Sequence, residues 1–431
     1  MTDIPSLYRL FCAHPTITTD TRNCPQGAIF FALKGASFDG NDFAKNALDQ
    51  GCAYAVVDKQ GLEGDERFIH VADVLKTLQQ LAAYHRRQLG TPIVQITGTN
   101  GKTTTKELTA AVLSRKFNVH FTKGNFNNHI GVPKTLLAMT PQHQVAVVET
   151  GANHPGEIAE LSEIVDADCG LITNIGVAHI EGFGSVEGVA KTKGELYDYL
   201  RKKSGSLVFL HADNPRLTHM AEGLVTYKYG VAGKGYDIEG EVTACSPFLA
   251  LKWRRRGGEW HEVKTHLIGA YNCDNALAAA AVGCHFGVTE NDITAALADY
   301  VPSNNRSELK ETGRNSLIID AYNANPTSMK AALDNFALIS HPHKMMILGE
   351  MRELGVVSAE AHQTLAAQAE RMGCEDVWLV GEAFDGCAPS LRHFANVEEV
   401  AQQLTQQPVE GRLILIKGSN GTRLFTLPTL L

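Results

Sequence analysis

Ile96-Thr97-Gly98-Thr99-Asn100-Gly101-Lys102-Thr103-Thr104 decides how this chain is read. It follows the apolar run Pro92-Ile93-Val94-Gln95-Ile96, which reads as a buried strand, and precedes a helix-compatible run from Thr103 to Leu113. Strand, glycine turn, Lys-Thr and helix together are the layout of a phosphate-binding loop. Glycines let backbone N–H groups close in on phosphate oxygens, and the helix N-terminus adds partial positive charge. Lys102 supplies a mobile cation for the outer phosphates of ATP, and the Thr103 hydroxyl can ligate Mg²⁺. Gly98, Thr99, Asn100, Gly101 and Thr104 complete the expected cradle. The commonest form of the loop has a glycine five positions before Gly101, where this chain has Ile96, so the loop is a shorter variety. A glycine turn that binds nothing has no need of Gly, Lys and Thr at these offsets.

The surroundings of the loop fit an ordinary globular chain. Its 431 residues predict two or three domains. Hydrophobic content of 44% and charged content of 20% lie in the usual range. A net charge of −8 argues against a nucleic-acid partner, which wants a basic face. No apolar run approaches a membrane span. Met1 to Leu10 lacks a secretory pattern. The nine cysteines, an odd number without a Cys-x-x-Cys pair, point to a reduced cytoplasmic compartment. A monomer is assumed.

Periodicity divides the chain at 1–88, 89–302 and 303–431. The first part reads as a small α/β unit, with strands at 28–33 and 53–57 and helices near 42–50 and 71–88. The middle part alternates strands (93–97, 119–122, 145–149, 170–174, 207–210) with helices, the pattern of a mostly parallel sheet. From Leu224 to Leu267 alternation without helix predicts a small antiparallel flap turning at Gly257-Gly258. Helices return at 271–286 and 290–300. The last part is a third α/β series, with strands at 317–320, 344–348, 376–380 and 413–417 and helices at 326–339 and 359–372.

Several further stretches carry chemistry. Glu149 ends the strand Val145-Ala146-Val147-Val148 and precedes Thr150-Gly151-Ala152-Asn153. Open α/β sheets put functional groups at such strand ends, so Glu149 suits a Mg²⁺ held with Thr103 and phosphates. A capping or solvent-facing Glu is the bland alternative. His179, in Thr173-Asn174-Ile175-Gly176-Val177-Ala178-His179, also follows a strand and is a candidate for a second metal or a phosphate. Ala190-Lys191-Thr192-Lys193-Gly194-Glu195 reads by itself as two solvated lysines on a helix. Lys123-Gly124-Asn125-Phe126-Asn127-Asn128-His129-Ile130-Gly131-Val132-Pro133 is rich in turn residues. Three asparagines in four positions (Asn125, Asn127, Asn128) favour ligand contact over a plain turn. Asn304-Asn305-Arg306 opens the third part, where Arg306 could reach a transferring phosphoryl group on domain closure. Asp320-Ala321-Tyr322-Asn323-Ala324-Asn325-Pro326 ends a strand and should face a cleft.

The phosphate loop, the blocks 124–133, 149–158 and 178–185, and the block from Asp320 to Met329 together resemble the Mur ligases of peptidoglycan synthesis. The likeness runs over almost the whole chain. It is strongest to those members that join D-alanyl-D-alanine to UDP-N-acetylmuramoyl-tripeptide. It implies three domains: an N-terminal one for the UDP-sugar end of the substrate, a central ATPase with a mostly parallel sheet, and a C-terminal Rossmann-like domain that swings in. Asp20-Thr21-Arg22, Ala32-Leu33-Lys34-Gly35 and Phe38-Asp39-Gly40 look like the N-terminal signatures. Many relatives have Ser where Thr21 stands, and the hydroxyl is kept. The resemblance implies an acyl-phosphate mechanism with ATP and two Mg²⁺. Thr103 and Glu149 are expected at the first ion. His179 and Lys193 are expected at the second, with Lys193 as a carbamate. It places Asn272 and Asn275 near the nucleotide base, Asp320 near the ribose, and Asn323 and Asn325 near the peptide end.

Two other readings compete. A sister ligase, adding a diamino acid or adding glutamates to folate, shares the loop. The sister that adds the third residue carries Asp-Asn-Pro-Arg in its C-terminal domain, whereas Asp213-Asn214-Pro215-Arg216 falls in the central part here. A nucleotide-binding scaffold has no need of Lys102, Glu149, His179, Lys193 and Arg306 together.

Overall fold

A computed structural model describes residues 2–62, 64–303 and 306–431. Asn304 and Asn305, named above beside Arg306, lie outside the described residues. Three sheets organise the chain. The first contains four parallel strands in sequence order, Ile17–Thr18, Ile29–Phe31, Tyr54–Val57 and Phe68–His70. The short outer strands were not legible from periodicity. Nor was the opening helix Ile4–Ala13, which Asp3 caps by accepting from Ser6 N at 2.7 Å.

The helix Val74–Leu89 joins the first sheet to the second. Its apolar face (Val74, Leu78, Leu81, Ala82) meets Leu7, Phe11 and Phe31 on one side and Ile93, Val132, Leu136 and Leu161 on the other, in one buried cluster. Gly90, in the left-handed region, ends it.

The central sheet has nine strands. Across its width they run His261–Ile268, Phe248–Arg255, Ile238–Cys245, Thr226–Val231, Leu207–His211, Cys169–Ile172, Ile93–Thr97, Val145–Glu149 and Val119–Phe121. Strand Ile93–Thr97 pairs in parallel with both Val145–Glu149 and Cys169–Ile172. The chain moves outward on one side of Ile93–Thr97 and then crosses to the other. That reversal opens a crevice at the carboxyl ends of the strands, where ligands bind in open α/β sheets.

The antiparallel strands expected at 224–267 and their turn at Gly257-Gly258 are present, but the segment does not stand as a flap of its own. Its four strands extend this same sheet, and Thr226–Val231 pairs in parallel with both Leu207–His211 and Ile238–Cys245. Only the last two pairings are antiparallel. Alternation marks a strand with one buried face but does not say which sheet it joins. Here Tyr229, Ile238, Leu251 and Trp253 are buried with helix Asn272–His285 in one core, so burial ties the segment to the ATPase sheet.

The third sheet has six strands, ordered Glu308–Glu311, Ser316–Asp320, Leu413–Lys417, Lys344–Gly349, Asp376–Val380 and Arg392–Phe394, all parallel except the first pair. Helices cover both faces, as the separate apolar clusters around Met329, Leu333 and Phe336 and around Val400, Leu404 and Leu424 record. The edge strands and the helix Val397–Gln406 were not anticipated. Among the described residues no helix is long and apolar enough to cross a membrane.

Candidate active site

A cleft of about 820 Å³ lies over the reversal point and is walled by both the central and the C-terminal sheets. Its floor is the loop from Thr99 to Thr104. Gly98 and Gly101 have φ of 143° and 78°, which disfavour side chains. A Cβ at Gly101 would lie 2.6 Å from Asn275 Oδ1, so the loop is pressed against the start of helix Asn272–His285. The loop is braced on its other side as well. Thr173 Oγ1 donates to Asn100 O at 2.6 Å, Asn100 N to Asn174 Oδ1 at 3.0 Å, and Gly176 N to Thr99 Oγ1 at 3.0 Å. Gly101→Ala is expected to weaken nucleotide binding and lower the thermal midpoint. The left-handed backbone alone costs a side chain ~1–2 kcal/mol, and Asn275 must also move. Nucleotide titration and a melting curve check this.

Lys102 opens the helix Lys102–Leu113, and its ammonium donates to Gly98 O at 2.8 Å and Thr99 O at 3.0 Å. Burial pulls its pKa below the ordinary lysine value; Glu149 opposes this and Arg306 adds to it. One residue on, Thr103 Oγ1 donates to Glu149 Oε2 at 2.9 Å. Asn127 Nδ2 donates to the other oxygen, Oε1, at 2.8 Å. Glu149 is only 1% exposed, so a carboxylate deep in the floor is satisfied by two neutral donors. Hard oxygen donors beside a phosphate loop fit Mg²⁺, which keeps waters and phosphate oxygens as its other ligands. Among the described residues no three His, Cys, Asp or Glu side chains gather into a metal cage.

The three asparagines of the 123–133 loop all line the cleft but differ in what they do. Asn127 holds Glu149. Asn128 Oδ1 accepts from Ile130 N and Gly131 N at 3.1 and 2.8 Å, in the turn that leads into the helix Gly131–Leu137. Asn125 is exposed. Asn272 and Asn275 also line the cleft, tied to each other at 2.7 Å, and Thr105 Oγ1 donates to Asn275 Oδ1 at 3.0 Å.

Lys193 lies just behind the wall. It is 2% exposed and its Nζ donates to Ala152 O at 3.4 Å, while Lys191 is exposed. Burial, with Lys102 nearby, lowers the Lys193 pKa to about 7 against the weaker pull of Glu157 and Glu195. The structure thus separates the two lysines that spacing alone left open. His179 lines the cleft at φ 51° and precedes the short helix Ile180–Phe183. Burial lowers its pKa, Glu353 opposes this, and Lys102 and Lys193 reinforce it. Lys102 thus lowers both Lys193 and His179, and Lys193 lowers His179 as well, a local excess of positive potential that suits an anion.

The C-terminal sheet supplies the facing wall. The Arg306 guanidinium sits 3.8 Å from the Tyr322 ring centre, and both line the cleft. Asp320 accepts from Lys417 Nζ at 2.6 Å, and Asn323 lines the wall beside them. Asn325 has a different place. Its side chain caps the helix Pro326–Leu338 and its Nδ2 donates to Asn100 Oδ1 at 2.8 Å, so it braces the phosphate loop across the two lobes.

Thr21 and Lys34 stand at the carboxyl ends of the first sheet's strands, apart from this cleft. Lys34 Nζ pairs with Asp58 at 2.8 Å. That rim is where a parallel sheet binds ligands. The residue-type reading overlooked His211, Tyr229 and Asp274, which line one end of the main cleft, with His211 stacked on Tyr229 at 5.4 Å. It also overlooked Tyr271 and Lys417. No spacing signal links these positions, which sheet order alone brings together.

Family models match residues 96–283 (Mur ligase middle domain), 305–420 (Mur ligase, glutamate ligase domain) and 15–86 (Mur ligase family, catalytic domain). The UDP-N-acetylmuramoyl-tripeptide–D-alanyl-D-alanine ligase of Bacillus subtilis is 36% identical over 95% of this chain and 91% of its own. A crystal structure of MurF from Acinetobacter baumannii is 32% identical, covers 96% of this chain and 92% of that one, and superposes with a TM-score of 0.87. The MurF ligase from Thermotoga maritima in complex with ADP, at 24% identity, shares the fold over 100% of this chain and 98% of that one with a TM-score of 0.86.

Proposed function

The chain belongs to the Mur ligase family, and on that premise we propose that it joins D-alanyl-D-alanine to UDP-N-acetylmuramoyl-tripeptide, with ATP cleaved to ADP and phosphate. One observation carries this reading. The phosphate loop with Lys102, the Thr103–Glu149 pair and His179 converge in a single cleft that Arg306 borders from the C-terminal lobe, with Lys193 buried just behind its wall.

The chemistry has two steps. A carboxylate oxygen of the tripeptide attacks the γ-phosphorus of ATP, and the bond to the β–γ bridging oxygen breaks to release ADP. The amine nitrogen of D-alanyl-D-alanine then attacks the acyl carbon, loses a proton, and expels phosphate. Two anions must meet in the first step, so positioning and neutralisation dominate. Lys102 moves from its loop carbonyls to the outer phosphates. Gly98 to Thr104 cradle the phosphate chain, and Asn272, Asn275 and Asp320 hold base and ribose. Arg306 offsets charge on the transferring group. Asn125, Asn127, Asn128, Asn323 and Asn325 border the peptide end, with Asn325 also bracing the phosphate loop. Thr21 and Lys34 hold the UDP-sugar end.

Thr103 and Glu149 would hold one Mg²⁺. His179 and a carbamate on Lys193 would hold a second, as the family resemblance implies. When bound, Mg²⁺ supplies neutralisation of the β- and γ-phosphate oxygens. All nine cysteines are free, which suits a cytoplasmic enzyme; we take it to act as a monomer.

Phosphate release measured with each substrate alone and with both tests the proposal. Release is expected only when UDP-tripeptide, D-alanyl-D-alanine and MgATP are all present. Release that ignores the dipeptide, or none at all, rules the reaction out.

A further inference from the structure

The stretch from Met351 to Val357 of the C-terminal lobe reaches across to the short helix Ile180–Phe183 of the central lobe. There Glu353 accepts a hydrogen bond from His179 Nδ1, although the two are 174 residues apart in sequence. Glu353 O also accepts from Glu181 N at 3.2 Å. Gly355 lies against Glu181, and Val357 packs onto the cluster of Ile180 and Phe183. The stretch is braced from its own side. His362, fully buried, accepts from Met351 N at 2.9 Å and donates from Nδ1 to Ser358 O at 2.7 Å. His179 and Glu353 both have left-handed backbone, φ 51° and 61°. For residues other than glycine such backbone persists only where the surroundings over-determine it, and it gathers at functional sites.

A carboxylate can only accept, so His179 Nδ1 carries the proton of this bond, and in the neutral ring that leaves the lone pair on Nε2. We propose that Glu353 is a positioning residue of the ligase site: it sets the tautomer and direction of the His179 ring from the opposite lobe. A carboxylate behind an imidazole fixes the ring and raises the basicity of its free nitrogen. Because the partners stand on different lobes, docking of the C-terminal lobe and readiness of His179 are one event. Whatever His179 holds in the cleft must, by linkage, favour the docked arrangement to the same degree. Sequence offers no sign of this pairing.

The kinetic half of the test rests on the proposed reaction; the spectroscopic half does not. Histidine ¹⁵N spectra of the metal-free protein, with His179→Ala to assign the ring, are expected to show His179 with Nδ1 protonated and Nε2 bare. Glu353→Ala mixes the tautomers, while Glu353→Gln, whose amide oxygen still accepts, keeps the pattern. Glu353 is about half exposed (52%), so both variants should fold. In the two-substrate assay Glu353→Ala lowers kcat by roughly 10–100-fold, and Glu353→Gln loses less. A wild-type ring without the Nδ1–H signature, or a Glu353→Ala protein that retains it, overturns the proposal whatever the rates. Wild-type protein lacking two-substrate phosphate release would instead defeat the ligase reading and leave the spectra to decide Glu353.

Discussion

Lys102→Ala abolishes turnover and leaves the fold standing. The expected loss in kcat is on the order of 10²–10³-fold or more, the scale seen when one preorganised charge-stabilising group is removed from a reacting centre. The argument is electrostatic. A carboxylate must approach a triphosphate, and Lys102 is the cation on the loop itself, next to the Thr103–Glu149 pair. The fold loses little. The side chain gives up two hydrogen bonds to Gly98 O and Thr99 O, each worth roughly 0.5–1.5 kcal/mol, and the substitution also removes a cation that burial disfavours. Circular dichroism and a melting curve should therefore match the parent closely, while phosphate release vanishes. Near-parental turnover would show that the loop does not act on phosphate.

Lys193→Ala is the second large effect, and its diagnostic is recovery. Activity should fall by roughly 10²-fold or more and return in part with formate or acetate, whose carboxylate can occupy the room left by a carbamate. Lys191→Ala should be close to parental, because Lys191 is exposed. CO₂ adds to the neutral amine, and the Lys193 pKa of about 7 keeps much of that amine neutral near physiological pH. The sign follows. As pH falls below about 7 the amine takes a proton and can no longer be carbamylated, so bicarbonate-dependent activation fades on the acid side. The same shift bears on stability. The unfolded chain holds the extra proton up to the ordinary value of 10.5, so this group's contribution to stability rises between about pH 7 and 10.5. A Lys193→Ala enzyme that no carboxylate rescues, or a Lys191→Ala enzyme that one does, would move the modification elsewhere or remove it.

Legibility followed how local the physics was. Strands Ile93–Thr97 and Val145–Glu149 were readable to the residue, because each is a short apolar run closed by turn residues. The segment from Thr226 to Ile268 was readable as strands but not as part of the central sheet, because alternation is silent about partners. Asn325 looks in sequence like a ligand contact, and in the fold its side chain caps a helix, a use that the same residue type serves equally well. Lys191 and Lys193 differ by two positions on one helix. Only packing buries one and leaves the other in water.

The amino-acid sequence by itself determined the phosphate loop, the α/β series, and the chemical identity of the groups proposed to meet ATP. Backbone conformation and strand formation there depend on residues within a few positions of one another. Only the tertiary structure decided which of those groups share a wall, which lysine is desolvated, and that Glu353 answers His179 from the other lobe. Those outcomes depend on sheet order and on low-dielectric burial, which couple residues far apart in the chain and leave no periodic trace along it.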